Sequence, residues 1–410
     1  MKIWIRYLLG VSAGVILAAF FLDPTAVSSN AWHDMSALAL RIGRYLLLPV
    51  AFFGTVVSVH DLKEHRKSLV TFTLLLALVV ALPALAVVIG AVALLFFQPG
   101  VLPIILEDAV LQETPDVLSI LNTVFPENAL SVLAGSGQYL LAAVVLGVLT
   151  GAAMSADTRF AALLEDIADG LCRLFFRLNA AIVRLFGFGL FVITVATVLR
   201  FRSLGNLSFY APMILVIAVT AGVVTLGLYP LLVWSLGRKW NPLLWMYAMI
   251  APGLSALVSG DVFLAGSTLV YTGRHNIGVR REVGGSALPF ALMFARAGSA
   301  MVSAMAFIMV LRSFSGLEIG MASVFRVVIM SLGFSFLLPA VPAGGVLVLL
   351  SMLASGYGQG FEDAYLILRP AAPILLSIAA YVDVMTSGAV MHIVAGRRKQ
   401  RDLPDIPDMV

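Results

Sequence analysis

Between residues 69 and 97 the chain runs without a single charged side chain, and apolar stretches of similar length recur from end to end. A helix needs about 20 predominantly apolar residues to cross a hydrocarbon layer about 30 Å thick. Lipid-exposed loops and open sheet edges are excluded there, because their backbone groups would find no partner. The pattern therefore predicts an all-α membrane protein. Composition agrees. Of 410 residues, 61% are hydrophobic and 12% charged, with a mean hydropathy of +1.02, where a soluble domain carries about 25% charged residues.

In a soluble protein the net charge of +4 would suggest a nucleic-acid partner. Here the basic residues fall in short loops, as the positive-inside rule requires, so no nucleic acid is expected. The single Cys172 excludes an intrachain disulfide and any multi-cysteine metal site. Five scattered histidines offer no metal spacing, so neither metal nor cofactor is expected, and no phosphate-binding GxxxxGK[ST] loop is present. The first apolar run follows Lys2 and Arg6 without a small-x-small cleavage site, and reads as a first span and anchor.

Spans are expected near 3–22, 38–59, 69–97, 129–154, 180–199 and 208–236. Lys63, Arg66 and Lys67 place one loop in the cytoplasm, and the acidic connection 98–128 lies outside. Segment 155–179 returns to the cytoplasmic side as an amphipathic entry to the fifth span. Arg200 and Arg202 are a local exception. Trp4, Trp32, Trp234, Trp240 and Trp245 fall near span ends and read as interface anchors.

From residue 243 the pattern changes. Two apolar stretches, 243–272 and 323–354, are broken at their centres by small or helix-breaking residues. The first reads Val-Ser-Gly-Asp-Val-Phe-Leu-Ala-Gly-Ser over 258–267, the second Leu-Pro-Ala-Val-Pro-Ala-Gly-Gly over 338–345. Non-helical backbone at membrane depth survives only when buried or facing a water-filled cavity. Paired interruptions in a repeated unit point to a transporter binding site; two kinked ordinary spans are the alternative. Full spans follow each break, near 284–312 and 364–395. Arg274, Arg280 and Arg281 put the first base inside, and Glu362–Asp363 put the second outside. The tail from Arg397 to Arg401 ends inside. Opposite entry is what inverted repeats require.

These segments resemble the dicarboxylate/amino acid:cation symporter family, the glutamate-transporter fold, over almost the whole chain. The run Asn122-Thr-Val-Phe-Pro126-Glu-Asn128, with Gly147-Val-Leu-Thr-Gly151 beyond it, is similar to that family's entry to its fourth span. Leu-Leu-Pro49-Val-Ala-Phe-Phe resembles its second span, and Leu288-Pro289 the opening of its seventh. Ala340-Val-Pro342-Ala-Gly344-Gly345 is similar to the tip of its second hairpin. The resemblance implies eight transmembrane helices, two re-entrant hairpins and a homotrimer in the inner membrane, with both termini cytoplasmic. It also implies an elevator-type transporter. Residues 1–242 would be mainly scaffold, with the third and sixth spans moving. Residues 243–396 would form the core of the transport domain and 397–410 a cytoplasmic tail.

The family's chemistry is altered. Its seventh-span Asn-Met-Asp-Gly-Thr falls on Ala295-Arg296-Ala297-Gly298-Ser299, so the Asn and Asp that help hold sodium are gone. In the eighth span the substrate-gripping arginine becomes Ala379 and the amine-binding aspartate Leu376. The last sodium-binding aspartate becomes Ser387, and a nearby asparagine becomes Asp383. The serine-rich tip of the first hairpin becomes Val262-Phe263-Leu264, preceded by Asp261.

Arg296 and Asp383 are charges in spans that meet in the related fold, and a mid-span charge costs at least about 2.5–3.5 kcal/mol. Three readings stay open. The two form an ion pair in place of a bound cation, Arg296 receives an anionic substrate group, or Asp383 carries a coupling proton. Asp261 is a hairpin-tip ligand or a solvated loop acid. With Ser299, Thr386, Ser387, Pro342, Ala343 and Gly344 these residues make up the candidate substrate and coupling site. The function expected is secondary active transport of a small amino-acid or organic-acid solute, not sodium-coupled in the family's usual way. An uncoupled anion channel or passive facilitator is the alternative. No nucleophile, paired carboxylates or metal set points to an enzyme.

Overall fold

The computed structural model describes residues 2–23, 28–64, 68–97, 100–103, 117–134, 140–154, 158–203, 207–237, 240–315, 320–340, 345–358 and 360–397. Among them every regular element is helical. The chain opens with α1 (Ile3–Phe20), α2 (Ser28–Arg44), α3 (Leu47–Glu64) and α4 (Ser68–Phe97). Short α5 (Val117–Val124) and α6 (Ser131–Ala134) precede α7 (Leu140–Met154), α8 (Thr158–Leu185) and α9 (Gly187–Ser203). Next come α10 (Ala211–Gly222), a π-helical stretch Val223–Leu228 and α11 (Tyr229–Leu236). The C-terminal part holds α12 (Pro242–Ser259), α13 (Val262–His275), α14 (Arg281–Phe294) and α15 (Ala297–Ser315). It closes with α16 (Met321–Ser335), α17 (Gly345–Tyr357) and α18 (Ala372–Arg397).

Seven described segments are long and apolar enough to cross a membrane, or eight if α8 and α9, bent by 55°, count as one. Burial sorts them. The apolar window of α14–α15 is 94% buried and that of α18 is 83%, against 22% for α1 and 33% for the stretch Leu207–Leu236. A helix apolar on every side belongs in a core or a bilayer, and this chain uses both. Met301, Phe307, Leu349 and Val390 form the protein core, while Leu8, Ile16, Leu215 and Val219 turn outward. Outward apolar side chains suit lipid, and the protein is a multi-pass membrane protein.

The C-terminal part repeats one plan: two helices across a break, then a longer helical segment. At the first break, Gly260 takes φ +63°, left-handed backbone that glycine adopts without steric cost. Asp261 then caps α13, its carboxylate accepting from the amides of Phe263 and Leu264 at 2.8 and 3.0 Å. At the second break Leu338–Ala340 forms a 3-10 turn and α17 starts at Gly345. The expected tip residues Pro342, Ala343 and Gly344 lie outside the described residues.

Several expected boundaries differ. The full span expected near 284–312 is found at Val283–Phe314, but its helix is interrupted at Ala295–Arg296, which divides α14 from α15. The span near 180–199 is interrupted at Phe186, where α9 must pass close to α1. A Cβ on Gly10 would lie 2.2 Å from the Gly187 carbonyl oxygen. Of the expected fourth span, near 129–154, α6 and α7 are described, and Asn128 Oδ1 accepts from the Leu130 amide at 2.9 Å in the turn just before α6. Trp245 is no interface anchor but is fully buried in the main core.

One seam matters below. α3 and α14 pass at a glycine crossing, where a Cβ on Gly285 would meet the Gly54 carbonyl oxygen at 2.2 Å. Two hydrogen bonds flank it: Thr55 Oγ1 to the Gly285 carbonyl at 3.3 Å, and Ser58 Oγ to Ser286 Oγ at 2.8 Å.

Candidate substrate and coupling site

The break before α15 leaves the first amides of that helix without partners in the preceding turn. They point at α18. Asp383 Oδ1 accepts from the amides of Gly298 at 2.7 Å and Ser299 at 3.0 Å, and Oδ2 accepts from Ser299 Oγ at 2.6 Å. The carboxylate thus closes the N-terminal end of α15, where backbone N–H groups and the helix dipole favour negative charge. Gly298 makes the approach possible, since a Cβ there would meet the Ala379 carbonyl oxygen at 2.1 Å.

Arg296 occupies the break itself. Its Nη1 stands 3.6 Å from Asp383 Oδ2, and its Nε donates to the Met293 carbonyl at 3.3 Å. The guanidinium carbon lies 5.2 Å from the centre of the Phe263 ring in α13, a cation–π distance. Both charged residues are buried, Asp383 completely. Two of the expected site residues are therefore brought together, and a third, Ser299, joins them.

Thr386 and Ser387 lie one turn further along α18, both buried. Ser387 Oγ donates to the Asp383 carbonyl at 2.9 Å, and Thr386 Oγ1 donates to the Val382 carbonyl at 2.6 Å. The Tyr229 hydroxyl sits 2.7 Å from Thr386 Oγ1. Since the threonine proton is spent on Val382, Tyr229 is the donor. Sequence reasoning missed this tyrosine. The signal was there in Tyr229-Pro230: a proline nitrogen has no hydrogen and its ring crowds the carbonyl four residues back. The helix widens ahead of it, and the Tyr229 amide reaches back to the Val224 carbonyl. Single π-turns of this kind concentrate at functional sites.

Asp261, two residues before the Phe263 that lies against Arg296, makes its own contacts elsewhere. Beyond its capping role it pairs with Arg44, Nη1 to Oδ2 at 3.4 Å. The first break still abuts the site's helix, since a Cβ on Gly260 would meet Leu376 Cγ at 3.4 Å. The start of α17 also reaches the site, with a Cβ on Gly345 lying 3.4 Å from Ser299 Oγ. Ser331 Oγ, on α16, donates to the Ala300 carbonyl at 2.6 Å. Among the described residues no group of three His, Cys, Asp or Glu side chains is placed to hold a metal ion.

Interrupted helices beside a buried charge pair in a multi-pass bundle are a feature of membrane transporter binding sites. Residues 3–397 match the Sodium:dicarboxylate symporter family, and the chain belongs to that family of secondary transporters of dicarboxylates and amino acids. No curated protein matches it.

Proposed function

We propose that this protein is an elevator-type secondary carrier of a small organic anion, of the amino-acid or organic-acid class, that works without bound sodium at the Arg296–Asp383 site. The observation that carries the reading is the state of the Asp383 carboxylate. Both oxygens are engaged, by two amides, a hydroxyl and a guanidinium. A hard cation needs several oxygen ligands, carboxylates prominent among them. Here Ala295 and Ala297 supply only methyl groups at the flanking positions, and a guanidinium stands beside the one acid.

The same arrangement favours Arg296 as the residue that receives substrate. A guanidinium has five N–H donors in a planar fork suited to carboxylates. Its contacts to Met293 and Asp383 engage Nε and one terminal nitrogen, and Asp383 holds the fork in place. Re-entrant hairpins formed by α12–α13 and α16–α17 would close over it. The moving body would be built on residues 243–396 and the scaffold mainly on 1–242. The assembly would be a homotrimer of the inner membrane with both termini in the cytoplasm, the C-terminal side supported by the basic tail Arg397–Arg401.

The test is uptake into proteoliposomes of candidate solutes first sorted by thermal shift, since a ligand that binds only the folded state raises apparent stability. Uptake should be similar in sodium and in choline. A steep, saturable rise with sodium would overturn the coupling claim. Linear conductance without solute exchange would replace the carrier with a channel.

A further inference from the structure

Among the described residues, Arg296 and Asp383 are the only arginine, lysine, aspartate or glutamate side chains buried in the protein. That limits the charge a bound solute can carry. Asp383 belongs to the end of α15: its oxygens take two amides and the Ser299 hydroxyl at 2.6 to 3.0 Å, while the guanidinium stands further off at 3.6 Å. Arg296 Nη2 has no hydrogen-bond partner among the described residues. It is nevertheless not one of the enclosed polar atoms left unsatisfied there, and 8% of the side-chain surface is exposed. This terminal edge of the fork is therefore open, and it suits one carboxylate.

A second carboxylate would need a second cation. The buried histidines are engaged elsewhere, His60 beside Glu165 and His392 stacked on Trp240. Arg44, near the first break, is already matched by Asp261. An ammonium group would need a buried acid, and both Asp383 oxygens are taken; it would also sit beside a guanidinium of the same sign. The remaining surroundings are apolar. The Phe263 ring centre lies 5.2 Å from the guanidinium carbon. Leu376 packs against Gly260 at the first break, and Val382 against Gly298. Phe263 and Leu376 are both partly exposed.

We infer that the site takes a monocarboxylate with an apolar body and no ammonium group, its carboxylate on the open edge of Arg296 and its hydrocarbon part against Phe263 and Leu376. This rests on the carrier reading above and narrows it against dicarboxylates and amino acids, the solutes of the family at large.

Isothermal titration of the purified full-length protein at neutral pH tests it with probes that share a chain and differ in charge. Hexanoate is compared with adipate, norleucine and hexanamide, and butyrate with succinate and 2-aminobutyrate. The monocarboxylate of at least one set should bind at least about tenfold more tightly than its partners, since each partner strands a charge or leaves the guanidinium unmatched. Arg296→Met should abolish that binding, and Phe263→Ala should weaken hexanoate more than butyrate. If Arg296→Met does not fold, the ranking on the unaltered protein decides. A dicarboxylate or amino acid that binds as tightly as its monocarboxylate would overturn the inference and leave the carrier proposal standing. Hexanamide matching hexanoate, or hexanoate binding unchanged in folded Arg296→Met, would overturn it as well. Failure of every acid to bind would remove both the inference and the reading of Arg296 as the anion receptor.

Discussion

Removing the Asp383 carboxylate strands four groups at once: two amides of α15, the Ser299 hydroxyl and the Arg296 guanidinium. Removing Arg296 strands far less, because the carboxylate keeps its helix terminus and its hydroxyl. The pair is therefore unequal. Breaking a buried pair from one side costs roughly 3–5 kcal/mol, and Asp383→Ala should lie at the top of that range. Arg296→Met should lie nearer the roughly 1–3 kcal/mol of a lost charged hydrogen bond. Unfolding in detergent, followed by temperature or denaturant, compares them, and equal losses would contradict the asymmetry. An Arg296→Met/Asp383→Leu double variant should recover little, since the α15 amides stay unpaired. A double-mutant cycle should nevertheless give a coupling energy well away from zero. Asp261→Ala, which removes an N-cap and the Arg44 contact, should cost about 0.5–2 kcal/mol on the same assay.

Among the elements, the α3–α14 crossing makes its own asymmetric prediction. A methyl group at Gly285 would run into the Gly54 carbonyl oxygen at 2.2 Å, whereas one at Gly54 finds its nearest neighbour at 3.4 Å. Gly285→Ala should cost about 1–3 kcal/mol, because backbone must give way, and Gly54→Ala should be nearly neutral. Comparing the two thermal transitions checks it. The elements also show what could be read in advance. Long spans such as α4 were legible because charge is absent from them, and the first break because Gly260 and Asp261 carry standard helix-ending chemistry. The break at Arg296 was hidden. Its neighbours are alanines, good helix formers, and the cause lies 85 residues from Gly298, in an aspartate that draws the amides off the helix axis. The meeting of Arg296 and Asp383 was legible because the family resemblance brings their two spans together and a lone charge in each is too costly to stand without a partner. The π-turn before Tyr229 was missed because hydropathy is blind to a change in helix width.

For the whole molecule, the inverted-repeat topology expected from the sequence makes a testable prediction. In a Cys172→Ser background, cysteines at exposed Arg280 and Glu362 mark the bases of the two broken segments. A membrane-impermeant maleimide added outside intact cells should label the Glu362 position and leave the Arg280 position untouched until the membrane is opened. Labelling both from one side would remove the inverted-repeat proposal. Sodium-independent uptake belongs to this scale as well, because it requires the entire cycle to run with the guanidinium as the resident cation.

The contact between α15 and α18 also sets a problem of timing. The ribosome makes Gly298 first and Asp383 85 residues later. At roughly 5–20 residues per second the wait is about 4 to 17 seconds. For that interval Arg296 has entered the membrane, or waits beside it, without its carboxylate. A truncated nascent chain ending before residue 383 should then hold the α14–α15 segment weakly in the bilayer, while one extended through α18 should hold it firmly. Biogenesis of this protein would be a race between elongation and the machinery that clears unassembled helices.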